Sequence, residues 1–477
     1  MLVWFVIVYL MIAIGIGLYA ATKVHNARDY VVAGRALPLY MVTATVFATW
    51  FGSETVLGTS ATFLQEGLHG IIADPFGASL CLIFAGLFFA RKLYRMNLLT
   101  IGDYYRLRYS RTVEVVTSMA IVISYLGWVS AQITASGLVF SLISNQQISL
   151  HEGMLLGSAI VLVYTIFGGM WSIALHDFLQ MNVILVGMLY IGYIISGDAG
   201  GLMHVVHHAS LEGKFNFWPQ PTASGILGFL GAWVTMMLGS IPQQDVFQRI
   251  MSAKNENVAV QGSVLGGVMY FLFAFVPITL GYSATLIDPS MVNGLIGSHP
   301  QHILPELILN HTPVFAQIMF FGALLSSILS TASATLLAPS ITFTENVIKP
   351  LIGNWGERHL LLVMRGIVVL FAALVALYAL STNSSIFNMV ENAYKVTLVA
   401  AFVPLAAGLY WKRANNQGAI LAIVAGSASW IWLEVHNPAG TWPPQLFGLV
   451  MSAAGMIIGS LLPDFLPKPR QEHLHTT

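Results

Sequence analysis

Gly239-Ser240-Ile241-Pro242-Gln243-Gln244-Asp245 interrupts an apolar run over about 224–248. Pro242 has no backbone N–H to donate, so a helix cannot pass through it with its hydrogen bonds complete. A second run, 38–66, carries a similar interruption, Trp50-Phe51-Gly52-Ser53-Glu54, with a glycine and a carboxylate near its middle. Five apolar runs separate the two starts. Glycine and proline are common in membrane helices without any special role. A pair of interrupted helices in corresponding positions of two successive five-helix sets is more specific. It is the sequence mark of an inverted-repeat transporter with its site at the breaks.

Composition agrees with a membrane setting. The chain has 477 residues, 56% of them hydrophobic and 8% charged, where soluble domains carry about a quarter charged residues. Its formal net charge is zero, which offers nucleic acid no electrostatic footing. The single cysteine, Cys81, excludes an intrachain disulfide. The N-terminal stretch MLVWFVIVYLMIAIGIGLYAA lacks a basic leader and is about one span long, so it reads as a retained helix.

Apolar runs of spanning length fall at 2–21, 38–66, 70–90, 113–144, 153–168, 178–196, 224–248, 258–287, 314–345, 360–381, 386–411, 418–435 and 443–462. The expected fold is therefore an all-α polytopic membrane protein of about thirteen transmembrane helices. With the N-terminus outside, 17 of the 20 Lys and Arg residues fall in inner loops, Arg249, Lys468 and Arg470 among them. Only Lys214 falls in an outer loop, while Arg365 and Lys395 sit at or in spans. That segregation is the positive-inside rule at work, and it predicts N-out, C-in. The loops leave no room for a soluble catalytic domain, and no metal-ligand cluster or nucleophile–base pattern appears in the spans. An enzyme is not expected.

Ser326 to Thr335 places six hydroxyls in ten residues of the 314–345 run. Hydroxyl and carbonyl oxygens at helical spacing suit a small hard cation. They are equally ordinary at membrane helix contacts, where they allow close approach. Both readings stand on this stretch alone.

Further marks point to a family. Gly34-Arg35 precedes the first core helix; Gly168-Gly169 is followed by His176-Asp177-Phe178-Leu179-Gln180; then come Phe247-Gln248-Arg249 and Ser330-Thr331-Ala332-Ser333; Pro404 leads to Tyr410-Trp411-Lys412-Arg413 and Gly418. In this order the chain resembles, over about 25–415, the sodium/solute symporter family of sodium-coupled proline, sugar and choline transporters. The resemblance implies a LeuT-like fold of two inverted five-helix repeats, here 38–196 and 224–411. The peripheral parts would be 1–37 and 412–477 of one transporter domain. It also implies a sodium ion held by the carbonyls of Ala48, Phe51 and Ser327 and the hydroxyls of Ser330 and Thr331. Asp177 matches a family carboxylate on the sodium exit path, although a helix cap would account for it as well. The His before it departs from the family's usual Thr. The nearest subgroup is similar to the high-affinity choline transporters, which hold a quaternary ammonium in an aromatic cage. Trp50 and Trp128 match two cage positions, whereas Ala78 and Gln243 stand where aromatic residues are expected.

Glu54 and Asp74 lie within predicted spans, where an unpaired charge costs at least ~2.5–3.5 kcal/mol. Each either faces a substrate cavity or is neutralised within the bundle. Gln132, on the third core helix, is the member of its polar series placed nearest substrate. Glu391 and Lys395, four apart, read as an ion pair, or Lys395 meets a substrate carboxylate. The solute-binding candidates are thus Trp50, Glu54, Asp74, Trp128, Gln132 and Gln243. The expected function is sodium-coupled import of a small polar organic solute, such as an amine or amino acid, by alternating access. A proton-coupled transporter of the same fold and a membrane sensory module are the alternatives. The expected partners are the solute, sodium as coupling ion and lipid, with no transition metal. The chain is expected to work as a monomer in a plasma membrane, that of a bacterial inner membrane.

Overall fold

Long apolar helices begin here at side chains that can cap them. Ser110, Ser149, Asn255 and Asn415 each accept the backbone N–H three residues on. Those N–H groups have no partner inside the helix, so a polar residue beside an apolar run fixes where the helix starts. The computed structural model describes residues 2–352, 356–438 and 440–463; the expected inner-loop charges Lys468 and Arg470 lie outside them. Apart from one isolated bridge between Leu37 and Ala253, all regular structure among the described residues is helical.

Nine helices among the described residues are long and apolar enough to cross a membrane, ten if the bent pair Ala223–Gly239 and Gln244–Ser252 counts as one span. Arg111–Ile143, Glu256–Ile287, Ile386–Tyr410, Asn416–His436 and Pro444–Leu461 lie within a few residues of the expected runs. The expected spans 153–168 and 178–196 fall in one continuous stretch, Leu150–Asp198, whose two helices meet at Gly169. Gly169 takes φ +51°, and a Cβ there would stand 2.5 Å from the Tyr30 carbonyl oxygen. Both the backbone angle and the close approach require glycine.

The Val314–Phe343 helix runs through the centre, and every residue from Phe320 to Thr342 is buried. It packs against Leu150–Asp198, Arg111–Ile143 and Leu39–Trp50. Its hydroxyls mostly bond back to the preceding turn, as Ser326 does to Gly322 and Thr335 to Thr331. Small side chains satisfied within their own helix let neighbours approach from all sides.

Both expected interruptions are present. The first span runs as Leu39–Trp50, leaves helical geometry at Phe51 (φ −84°, ψ 73°), and resumes as a wide turn over Glu54–Thr59 and a helix over Ser60–Glu66. The second bends by 43° between Gly239 and Gln244. One expectation fails here. Arg249 is not in an inner loop; it is inside the Gln244–Ser252 helix and 1% exposed. The expected apolar run ends at this basic residue, whereas Arg249 is kept in the interior by the Asp245 carbonyl at 3.0 Å and the Thr49 hydroxyl at 2.7 Å.

Candidate functional site

A broken helix frees backbone groups that must find partners elsewhere. At the first break those partners come from two other helices and from the resumed part of the broken span itself. The Thr331 hydroxyl lies 3.5 Å from the Ala48 carbonyl oxygen. The Ser53 N–H donates to Gln132 Oε1 at 3.0 Å, and the Thr55 hydroxyl reaches the Trp50 carbonyl at 3.4 Å. Gly52 makes this closeness possible. A Cβ on it would stand 2.8 Å from Thr331 Oγ1 and 2.4 Å from Glu54 Oε2. Of the expected sodium ligands, Ala48 and Thr331 therefore meet at the break, and Phe51 is the residue where the helix ends.

Ser330 is turned to one side of Thr331. Its hydroxyl donates to Asp177 Oδ1 at 2.6 Å. The other oxygen, Oδ2, accepts the Thr45 hydroxyl and, at 3.4 Å, that of Thr49. Thr49 also receives the Arg249 donor, so a guanidinium and a carboxylate are joined through one hydroxyl. Asp177 is fully buried among these groups, away from any water-facing helix start. A cap at a membrane interface does not describe it. The Ser327 hydroxyl is buried without a hydrogen-bond partner.

The expected solute-binding residues divide. Glu54 is buried and accepts Trp128 Nε1–H at 3.1 Å and Gln132 Nε2–H at 2.7 Å. Trp50 packs edge-on to Trp128, with ring centroids 5.4 Å apart. Tyr394 stacks on Trp50 at 6.0 Å and leans on Trp128 at 5.5 Å, and Tyr125 stacks on Trp128 at 6.0 Å. These four rings form an aromatic cluster beside both breaks. Gln243 comes from the second break and donates to Ser124 at 2.9 Å and Thr397 at 3.4 Å. Asp74 does not join it. Its oxygens accept the Tyr270, Thr59 and Thr55 hydroxyls instead. Lys395 also points elsewhere, 3.9 Å from Glu434.

Sequence reasoning passes over Tyr125, Tyr394, Thr45 and Thr49, and it treats Asp245 only as the edge of a break. A spacing signal exists for some of them. Tyr125 lies three residues before Trp128, and Thr45 four before Thr49, so each pair shares a helix face. Asp245 is fully buried, with Oδ1 accepting the Tyr125 hydroxyl. Glu54, Asp74, Asp177 and Asp245 are thus all buried in the bundle, as is the Arg249 guanidinium. Buried charge of one sign is costly unless balanced.

The sequence model described as the sodium:solute symporter family matches residues 30–426. The high-affinity choline transporter 1 of Drosophila melanogaster is 26% identical over 437 residues, covering 89% of this chain and 69% of its own. The osmoregulated proline transporter of Bacillus subtilis is 24% identical over 482 residues, covering 95% and 93%. A solved structure of a Na+-coupled sialic acid symporter, in a substrate-bound outward-open state, superposes with a TM-score of 0.81 at 18% identity and 96% coverage of both chains. The likeness in structure is one of LeuT-like fold.

Proposed function

Because the chain belongs to the sodium:solute symporter family, we propose that it imports a small polar organic solute together with sodium by alternating access. It is a multi-pass membrane transporter, not an enzyme, and sodium is its coupling ion. The finer reading starts at the first break. Sodium would sit between the carbonyls of Ala48, Phe51 and Ser327 and the hydroxyls of Ser330 and Thr331. Neutral oxygens replace its water shell without holding it too tightly for release. The observation that supports this is the 3.5 Å approach of Thr331 Oγ1 to the Ala48 carbonyl. Sodium bound there would tie the Val314–Phe343 helix to the broken helix and favour the state in which they are closed together. Asp177, bonded to Ser330, would take the ion next on its way inward.

The solute would lie where Trp50, Trp128, Glu54, Gln132 and Gln243 converge between the two breaks. Asp74, held by three hydroxyls, would act as a brace for the outer part of the broken helix. The membrane potential contributes about 2.3 kcal/mol per charge per 100 mV, so one sodium supports substantial accumulation of a neutral solute. Thirteen spans, inverted repeats over 38–196 and 224–411, an outer N-terminus and a bacterial inner membrane complete the reading.

The test is uptake into proteoliposomes. Sodium should drive it and potassium should not, and a Ser330→Ala/Thr331→Ala double variant should lose its sodium dependence. Uptake driven by an inward proton gradient in sodium-free medium would replace this mechanism with a proton-coupled one through Glu54 or Asp177.

A further inference from the structure

Asp245 stands in the first turn of the Gln244–Ser252 helix, directly after the second break. Its Oδ1 accepts the Tyr125 hydroxyl, and that hydroxyl accepts the Asp245 backbone N–H at 2.9 Å. Its Oδ2 is buried and has no hydrogen-bond partner. The carboxylate faces the backbone amides of Asp245 and Val246, but neither makes a bond of good geometry to Oδ2. Arg249, one turn on, does not fill the gap. Two of its donors go to the Asp245 backbone carbonyl and the Thr49 hydroxyl, and no ion pair joins the two side chains.

A second free acceptor comes from the same break. Gln243 Oε1 is buried without a partner, while its amide nitrogen is held by Ser124. Ser124 and Tyr125 are consecutive on the Arg111–Ile143 helix, so Gln243 and Asp245 meet that helix at one level. Tyr125 stacks on Trp128, and Trp128 packs against Trp50 and Tyr394.

Two orphaned acceptors, one of them anionic, next to a cluster of aromatic rings define a chemical class. A buried acceptor left without a donor is destabilising, and more so when charged. Aromatic faces attract a cation. A quaternary ammonium satisfies the rings but brings no N–H to the acceptors. A sodium ion satisfies the oxygens but uses little of the rings. A protonated amine satisfies both.

We propose that Asp245, assisted by Gln243, is the specificity-determining anchor for a solute carrying a protonated amine with at least one N–H. This rests on the reading that the solute lies between the two breaks. Asp245 Oδ2 and Gln243 Oε1 take the N–H donors, and Tyr125, Trp128 and Tyr394 face the charge. The substitution of Gln243 for an expected aromatic residue then has a direct reason: a cage wall is exchanged for an acceptor.

The experiment uses the purified full chain in lipid nanodiscs with sodium present. Thermal unfolding is titrated with ethanolamine, N-methylethanolamine, N,N-dimethylethanolamine and choline, which share a skeleton and differ in N–H count; binding raises the midpoint. The three amines with an N–H should bind at least tenfold tighter than choline. Asp245→Asn should lower their affinity tenfold or more, to the level of choline, while the rise in midpoint caused by sodium alone persists. Gln243→Met should weaken the same three by a smaller factor, and it carries the test with the wild-type series if Asp245→Asn does not fold. Choline binding as tightly as N,N-dimethylethanolamine overturns the proposal, as do unchanged affinities in both variants. So does a wild type that sodium stabilises and none of the four amines does; there the sodium reading survives. A wild type that sodium also fails to stabilise overturns the coupling reading, and this proposal with it.

Discussion

Ser330 Oγ donates to Asp177 Oδ1 over 2.6 Å. A hydroxyl expected to hold sodium and a carboxylate expected on its path are therefore one hydrogen-bonded unit. Thr331, the next residue, points instead at the Ala48 carbonyl. Adjacent hydroxyls on one helix thus face two different oxygen sets, and an ion could pass from one to the other by a small step.

Asp177→Asn keeps the shape but removes the charge that Ser330, Thr45 and Thr49 converge on. A hydrogen bond to a charged group contributes about 1.5–3 kcal/mol, which corresponds to roughly ten- to hundredfold in affinity. The sodium concentration for half-maximal uptake should rise by about that factor, with solute affinity at saturating sodium much less affected. Equal losses in both would assign Asp177 a purely structural role.

Gly52→Ala should damage both sites at once. The added methyl would sit 2.8 Å from Thr331 Oγ1 and 2.4 Å from Glu54 Oε2. Glu54 has a flexible end and can shift, but only by leaving Trp128 and Gln132. Overpacking of this kind costs about 1–3 kcal/mol in a well-packed core. Sodium-driven uptake should fall at least tenfold while the protein still elutes as a folded species in detergent. Near-normal uptake would place sodium and solute away from this break.

The two breaks were legible because proline and glycine act on their own backbone, and no distant contact is needed to read them. Glu54 and Gln132 were legible as polar intrusions in apolar runs, and Trp50 and Trp128 only through the resemblance to choline transporters. Tyr125 and Tyr394 were not, since a tyrosine in such a run looks like core until its ring neighbours are known. Arg249 shows the opposite failure. Charge segregation sends it to a loop, and the Thr49 hydroxyl that helps hold it inside is 200 positions away in the chain. Asp74 was marked for its charge, yet charge alone could not tell that Tyr270, Thr55 and Thr59 would satisfy it.

Outside the membrane, Asp288 caps the Pro289–Leu295 helix and reaches His311 at 3.0 Å. The Ser290 hydroxyl, the Met291 N–H and His311 hold its carboxyl down at about 2, below the roughly 3.9 of a free aspartate. Its folded value is depressed, so its contribution is fully present above the unfolded value and is lost as pH falls through the folded one. Between pH 5 and 8 the segment 288–311 should keep constant protection from hydrogen exchange, and below about pH 4 it should begin to lose it. Asp288→Asn should show reduced protection already at pH 7 and a flatter response to acid. An identical acid profile in the variant would sever the link between this carboxylate and the segment.

Gln132 supplies the last prediction, because it serves two elements with one amide. Its Oε1 takes the Ser53 N–H at the break, and its Nε2 donates to Glu54 Oε2. A glutamate in its place would keep the acceptor but set a second carboxylate against Glu54. Gln132→Glu should therefore bind solute poorly at neutral pH and recover as the pair takes up a proton. Gln132→Leu should not recover at any pH. It leaves a buried N–H and a buried carboxylate oxygen without partners, at about 1–3 kcal/mol each. Thermal unfolding should register that loss in the leucine variant even without solute. If uptake by Gln132→Glu shows the same pH profile as wild type, Glu54 and Gln132 do not share a hydrogen bond in the transporting state, and the solute site must be drawn without them.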